Sequence, residues 1–200
     1  MKRVVLASGN AGKLVELGAI LAERNIELVP QSNYSVSDVE ETGLSFVENA
    51  LIKARHACAQ TNLPAIADDS GIEVDYLNGE PGIYSARYAG GSGTQADLAN
   101  NKKLLAELDG VADAERTARF QCVIVYMRHA SDPMPLICQG TWEGSILREE
   151  KGDNGFGYDP LFFVPTHKCA SAELAPEIKN SLSHRGQALR KLLLCWNSPH

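Results

Sequence analysis

Two hundred residues, 44% hydrophobic and 22% charged, suit one soluble globular domain that could be built as two lobes with a sizeable core. A formal net charge of −6 argues against a broad nucleic-acid surface, while leaving room for a small polyanion in a local pocket of Lys and Arg. No apolar stretch approaches the roughly 20 residues that span a bilayer, and five scattered cysteines without a Cys-x-x-Cys pair argue against a disulfide framework and a zinc site, favouring a reducing, cytoplasmic home.

The start Met1-Lys2-Arg3 before Val4-Val5-Leu6-Ala7 looks like a signal peptide, but Ser8-Gly9-Asn10 ends the apolar run too early. Arg3 to Ala7 therefore reads as a buried strand and Ser8 to Gly12 as a tight turn. Leu14, Leu17, Ile20 and Leu21 recur at helical spacing from Lys13 to Asn25, and Ile26 to Val29 reads as a second strand. Ser45 to Thr61 is expected as a helix with Phe46, Ala50, Ala54 and Ala57 along one face. The run Pro64-Ala65-Ile66-Ala67 reads as a strand that ends at Asp68-Asp69, with a separate short strand at Ile72 to Val74.

Farther along, Gln95 to Leu108 carries Leu98, Leu104, Leu105 and Leu108 at helical spacing. Ala118 to Arg128 and Leu136 to Trp142, with Asp132-Pro133 between them, suggest a long antiparallel hairpin. A glycine-rich loop from Lys151 to Pro160 leads into a strand, Leu161 to Val164. A short helix is expected around Glu173 to Lys179 and a last one from about Gly186 to Trp196. Together these elements predict an α/β fold: a mixed central sheet flanked by helices, in two lobes with the active-site cleft between them. The whole chain, 1–200, reads as a single domain.

Asp68-Asp69 is the most informative pair. Adjacent carboxylates at a strand end repel each other, and a divalent cation or a proton would relieve that; the competing reading is a solvated acidic turn. Ser8-Gly9-Asn10-Ala11-Gly12-Lys13, between a strand and a helix, offers backbone N–H groups and a lysine to a phosphate. It is too short for a P-loop, and Leu14 stands where that motif places its metal-binding hydroxyl, so any metal must be held by acids elsewhere. Glu40-Glu41-Thr42-Gly43 is a second acidic pair, and Lys53 lies on the helix that follows. Phe156 and Tyr158, in Gly155-Phe156-Gly157-Tyr158-Asp159-Pro160, are either stacking surfaces for a base or core residues. Asp159 suits a base N–H or a turn cap. Arg185, in Ser183-His184-Arg185-Gly186, brings planar donors for a carbonyl or phosphate oxygen.

In this order the segments resemble the inosine/xanthosine triphosphate pyrophosphatase family, also described as dITP/XTP pyrophosphatases. The likeness is carried by Ser8-Gly9-Asn10 with Lys13, Glu40-Glu41-Thr42-Gly43, Glu48-Asn49-Ala50 with Lys53-Ala54, Ala67-Asp68-Asp69-Ser70-Gly71, Pro81-Gly82-Ile83-Tyr84-Ser85-Ala86-Arg87, the Gly155 to Pro160 loop and Ser183 to Gly186. It runs from about Val4 to Leu194, and its one departure is Ser8 where many members carry Thr. The resemblance implies Mg2+-dependent hydrolysis of ITP, dITP and XTP to the monophosphate and pyrophosphate by a homodimer; the net charge and the lack of a long apolar stretch add the expectation of no nucleic-acid or membrane partner. It implies that Ser8, Gly9, Asn10, Ala11, Gly12 and Lys13 cradle the phosphates, with Lys53 and Lys179 adding positive charge. Glu40 and Asp69 would hold the metal, with Glu41 and Asp68 as further carboxylates that could join them, and Asp69 would act as base. Ser70, Phe156, Gly157, Tyr158, Asp159, His184 and Arg185 would contact the nucleotide. Two rivals are a nucleotide sensor that does not hydrolyse and a pyrophosphatase for modified pyrimidine nucleotides.

Overall fold

An apolar run with no polar alternation must be covered on both faces if it is a strand, and Val4, Val5, Leu6 and Ala7 are all buried. The structure, a computed structural model, describes residues 2–9, 11–22, 26–91 and 94–196. Its first half contains β1 (Lys2–Leu6), α1 (Ala11–Ala22), β2 (Ile26–Pro30), α2 (Phe46–Thr61), β3 (Ala65–Val74) and α3 (Thr94–Glu107). Its second half contains β4 (Thr117–Met127), β5 (Leu136–Ile146), β6 (Phe162–Val164), β7 (Cys169–Ala170), α4 (Pro176–Leu182) and α5 (His184–Trp196). The strands form a seven-stranded sheet in the order β2-β1-β3-β4-β5-β6-β7. β1 is parallel to β2 and β3, whereas β6 is antiparallel to β5 and β7, so the sheet is mixed as expected. Among the described residues no helix is long and apolar enough to cross a membrane.

The chain divides into two compact units. One is Met1–Asp69 with Cys122–Gln139 and Gln187–His200; the other is Ser70–Gln121 with Gly140–Gly186. The boundary falls inside β3, between Asp69 and Ser70.

In the first unit strand alternation sorts side chains to two cores. Val4, Leu6 and Ile66 pack with Leu17 and Leu21 of α1 and with Leu189 and Leu192 of α5. Val5, Ala7, Ala65 and Ala67 pack with Ala50, Ala54 and Ala57 of α2. Alanine on both sides of the second core lets α2 lie close to the sheet, so that Lys53 of α2 reaches Asp69 of β3. In the second unit Ile72, Val74, Leu104, Leu108, Phe120, Trp142 and Phe162 form the core; each such side chain contributes about 1.5–3 kcal/mol by burial. Arg116, 2% exposed, donates to the carbonyls of Leu108, Ile146 and Leu147 and so gathers three segments around that core.

Several boundaries differ from the sequence reading, each for a physical reason. β3 is one continuous strand of 10 residues, so Asp68-Asp69 lies within it and not at its end. The pair is nonetheless open on the β1 side, because β1 stops at Leu6, opposite Ile66. α1 begins at Ala11, which places Ala11 and Gly12 in its first turn and not in the tight turn expected over Ser8 to Gly12. α5 begins at His184 because the Ser183 hydroxyl accepts from the Gly186 N–H and caps it. The helix expected at Glu173 to Lys179 is shifted to Pro176–Leu182, with Pro176 at its first position where no N–H is needed. Leu98, although in helical register, is 54% exposed.

The connection from β4 to β5 is organised by Asp132, which is 2% exposed. Its carboxylate accepts from the Arg128 N–H and Nε at 2.9 Å each and from the Met134 N–H at 3.0 Å. These bonds, the Arg128 side chain first, hold the Asp132 carboxyl well below the usual carboxylate range. A lowered folded-state pKa contributes stability above the ordinary carboxylate value that is lost as pH falls below it. Asp132→Asn is therefore expected to lower Tm at pH 7 by roughly 5 °C. Thermal melts from pH 7 to pH 2 should show the gap closing as wild type loses its advantage in acid.

Candidate active site

The alternation that builds the first unit's cores also separates the two aspartates. Asp68 follows Ile66 in parity and faces α1, where Lys13 Nζ meets its Oδ2 at 3.0 Å. Asp69 follows Ala65 and Ala67 and faces α2, where Lys53 Nζ donates to its Oδ1 at 2.7 Å. Lys53 Nζ also reaches Glu41 Oε1 at 2.9 Å. The repulsion expected of adjacent carboxylates is thus relieved by directing them to opposite sheet faces with a lysine on each.

Glu41 is positioned by the approach to α2. The Ser45 hydroxyl accepts from the Glu48 N–H at the helix start, and Glu48 Oε2 accepts from the Leu44 N–H at 2.9 Å and from the Ser45 hydroxyl at 2.7 Å. Gly43 donates to Asn49 Oδ1 at 2.8 Å. Glu40, the other member of the acidic pair, is exposed. Ser8 and Gly9 follow β1, and Gly12 and Lys13 are half-buried at the start of α1. Ala11 opens that helix, and Asn10 lies outside the described residues.

Three carboxylates, Glu41, Asp68 and Asp69, face two ammonium groups, so the cluster carries one net negative charge. Burial pushes the Asp69 carboxyl above its ordinary value against the opposing pull of Lys53. Burial works to discharge Lys53, but Asp69, Asp68 and Glu41 outweigh it and hold the ammonium form. Asp69 Oδ2 is buried and accepts no hydrogen bond. An unmet carboxylate oxygen in a net-negative cluster fits a hard divalent cation bound through one or two carboxylates plus substrate oxygens. Among the described residues no group of three or more His, Cys, Asp or Glu side chains is placed to hold a metal ion.

A second group lies within the other unit. Asp159 is 3% exposed, and its Oδ2 accepts from Lys179 Nζ at 2.7 Å and from the Phe156 N–H at 2.9 Å. Its Oδ1 accepts from the Ser171 hydroxyl at 2.8 Å. Gly155, at φ 81°, is required here because a Cβ would run into the Asp159 carboxylate. Gly157 is held from α3: Asp97 accepts from its N–H at 3.2 Å and Asn101 donates to its carbonyl at 3.2 Å. The Tyr158 ring is buried with its hydroxyl on the Ser85 carbonyl, whereas Phe156 is half-buried.

Around the Phe156 ring stand Lys179 Nζ at 5.2 Å and the Arg185 guanidinium carbon at 5.7 Å from its centroid. Arg185 Nη2 donates to the Ser70 hydroxyl at 3.0 Å. His184 stacks on Phe120, with centroids 4.7 Å apart and planes 13° apart. Thus Ser70, Phe156, Asp159, Lys179 and Arg185 come together, while Tyr158 turns into the core. Asp97, Asn101 and Ser171 support the loop without belonging to any motif, and their long-range pairings leave no local signal in the sequence.

A family model described as the Ham1 family matches residues 4–194. A dITP/XTP pyrophosphatase from Vibrio parahaemolyticus is 60% identical over 192 residues, covering 96% of this chain and 95% of that one. A solved HAM1 protein from Coxiella burnetii has a TM-score of 0.90 at 52% identity, covering 98% of each chain. The solved Ham1 protein of Staphylococcus aureus has a TM-score of 0.85 at 41% identity, again over 98% of each chain.

Proposed function

The chain belongs to the Ham1 family and is a nucleoside-triphosphate pyrophosphatase, and we propose that it removes the deaminated purine nucleotides ITP, dITP and XTP from the nucleotide pool. The products are the nucleoside monophosphate and pyrophosphate. The observation that carries this reading is Asp69, a buried carboxylate tied to Lys53 through one oxygen with its other oxygen unmet. A carboxylate so placed can accept a proton, and the lysines around it can take phosphate oxygens.

In this reading Ser8, Gly9 and the first turn of α1 bind the phosphates, with Lys13 and Lys53 supplying positive charge. Asp69 takes the proton of the water that attacks the α-phosphorus, and pyrophosphate departs. Mg2+ is the proposed cofactor: Glu40 and Asp69 would hold it, with Glu41 and Asp68 as further carboxylates that could join them, and it would neutralise charge on the phosphate oxygens. Lys179 adds further positive charge for the phosphates, and Ser70, Phe156, His184 and Arg185 are assigned to the nucleoside. Arg185 donates to the purine 6-oxo group; adenine's 6-amino group would leave that donor unpaired, a mismatch worth up to about 10⁴ in discrimination. A cytoplasmic homodimer acting on free nucleotides completes the proposal.

The test is pyrophosphate release with Mg2+ from a panel of ITP, XTP, GTP, ATP and dUTP. ITP and XTP are expected to exceed ATP and dUTP by orders of magnitude, with turnover abolished by a chelator and restored by added Mg2+. Preference for dUTP, or equal turnover of ATP, would refute the assignment.

A further inference from the structure

We infer that the Asn49 side-chain amide is an additional phosphate-binding group, its Nδ2 donating to a phosphate oxygen while its Oδ1 fixes the segment that carries Glu41. The inference rests on the pyrophosphatase reading and adds to it a residue outside the set assigned above.

Asn49 is fully buried in the first turns of α2. Its Oδ1 accepts from the Gly43 N–H at 2.8 Å, but its Nδ2 is buried and donates to nothing. The orientation is not interchangeable, because turning the amide over would set its NH2 against the Gly43 N–H, donor against donor. The surrounding polar groups are satisfied: the Leu44 N–H, the Ser45 hydroxyl and the Glu48 N–H all have partners. The segment is also pressed against the helix, since a Cβ on Gly43 would lie 2.7 Å from Asn49 Oδ1 and 2.5 Å from Glu48 Cβ. A protein gains nothing in stability from a buried donor without an acceptor.

The place of that donor suggests its partner. Asn49 and Lys53 are four residues apart and so lie on one helix face. Lys53 Nζ joins Glu41 to Asp69, and Asn49 Oδ1 holds Gly43, two residues beyond Glu41. An N–H group cannot bind a cation, so the ligand that completes it must bring an acceptor. The acceptors that the reaction brings to the Lys53 cluster are phosphate oxygens.

The test uses Asn49→Asp and Asn49→Leu. Aspartate keeps an acceptor for the Gly43 N–H but replaces the spare donor by an oxygen; leucine removes both. N49D is expected to melt within a few degrees of wild type, yet to lose roughly 100-fold in kcat/KM on dITP and a similar factor in pyrophosphate affinity measured by calorimetry. Its relative pyrophosphate affinity should recover as pH falls and the new carboxyl regains a proton to donate. N49L should lose thermal stability as well. N49D within about threefold of wild type in both kcat/KM and pyrophosphate affinity overturns the inference and leaves the hydrolysis standing. Wild type that releases no pyrophosphate from any nucleotide overturns the functional reading instead, and the calorimetric arm still decides Asn49.

Discussion

Asp69→Asn is expected to abolish most turnover, lowering kcat by at least about 10³-fold while the protein remains folded. Asparagine keeps the shape of the side chain but cannot accept the proton of water, and it is a poorer ligand for a hard cation. The fold should tolerate the change because Lys53 retains Glu41 at 2.9 Å. The sign of the pH effect follows from the raised Asp69 pKa, which burial causes. A carboxyl whose folded-state pKa is raised contributes stability below its ordinary value and loses it as pH rises through the folded-state value. Melts of the two proteins should therefore show D69N gaining on wild type as pH rises from about 4 towards neutrality. A folded D69N with near-wild-type kcat would remove Asp69 from the chemistry.

The largest effect on stability is expected from Asp159→Ala. One carboxylate there serves Lys179, Ser171 and the Phe156 N–H, and it fills the space that Gly155 leaves open. Removing one member of a buried ion pair costs about 3–5 kcal/mol, because the remaining charge has lost its counter-charge in a dry place. That corresponds to a fall in Tm of roughly 10 °C for a chain of this size. Activity should fall with it at temperatures where the variant is still folded, since Phe156 and Lys179 lose their common anchor. Differential scanning calorimetry together with kcat/KM on dITP measures both. A Tm within a degree or two of wild type would show that Asp159 does not organise this loop.

Much of the architecture is legible from residue patterns because it rests on local periodicity. The all-apolar Val4 to Ala7 marks a doubly covered strand, and the alanine stripe of α2 marks its buried face. Legibility fails where local propensity and tertiary context disagree. Gly12 is a poor helix former, so it reads as a turn although it sits in α1. Two aspartates have low strand propensity, so they read as the end of a strand that continues to Val74. β7, at Cys169–Ala170, is too short to show any period.

The candidate site divides in the same way. The acids and lysines of the first unit are visible as motifs, but their pairing is not: only strand parity shows that Asp68 belongs to Lys13 and Asp69 to Lys53. In the glycine-rich loop two aromatic residues have equal claims in the sequence. The structure separates them, with Tyr158 bonded to the Ser85 carbonyl and Phe156 flanked by two cations. Asp159 suits either a base contact or a turn cap by composition; the Phe156 N–H, Ser171 and Lys179 occupy its carboxylate.

The central claim is that water attacks the α-phosphorus of a deaminated purine triphosphate. Hydrolysis of dITP in ¹⁸O-enriched water, with mass analysis of both products, addresses it most directly. The account predicts dIMP carrying one heavy oxygen and unlabelled pyrophosphate. Label in the pyrophosphate, or orthophosphate as the leaving product, would contradict it.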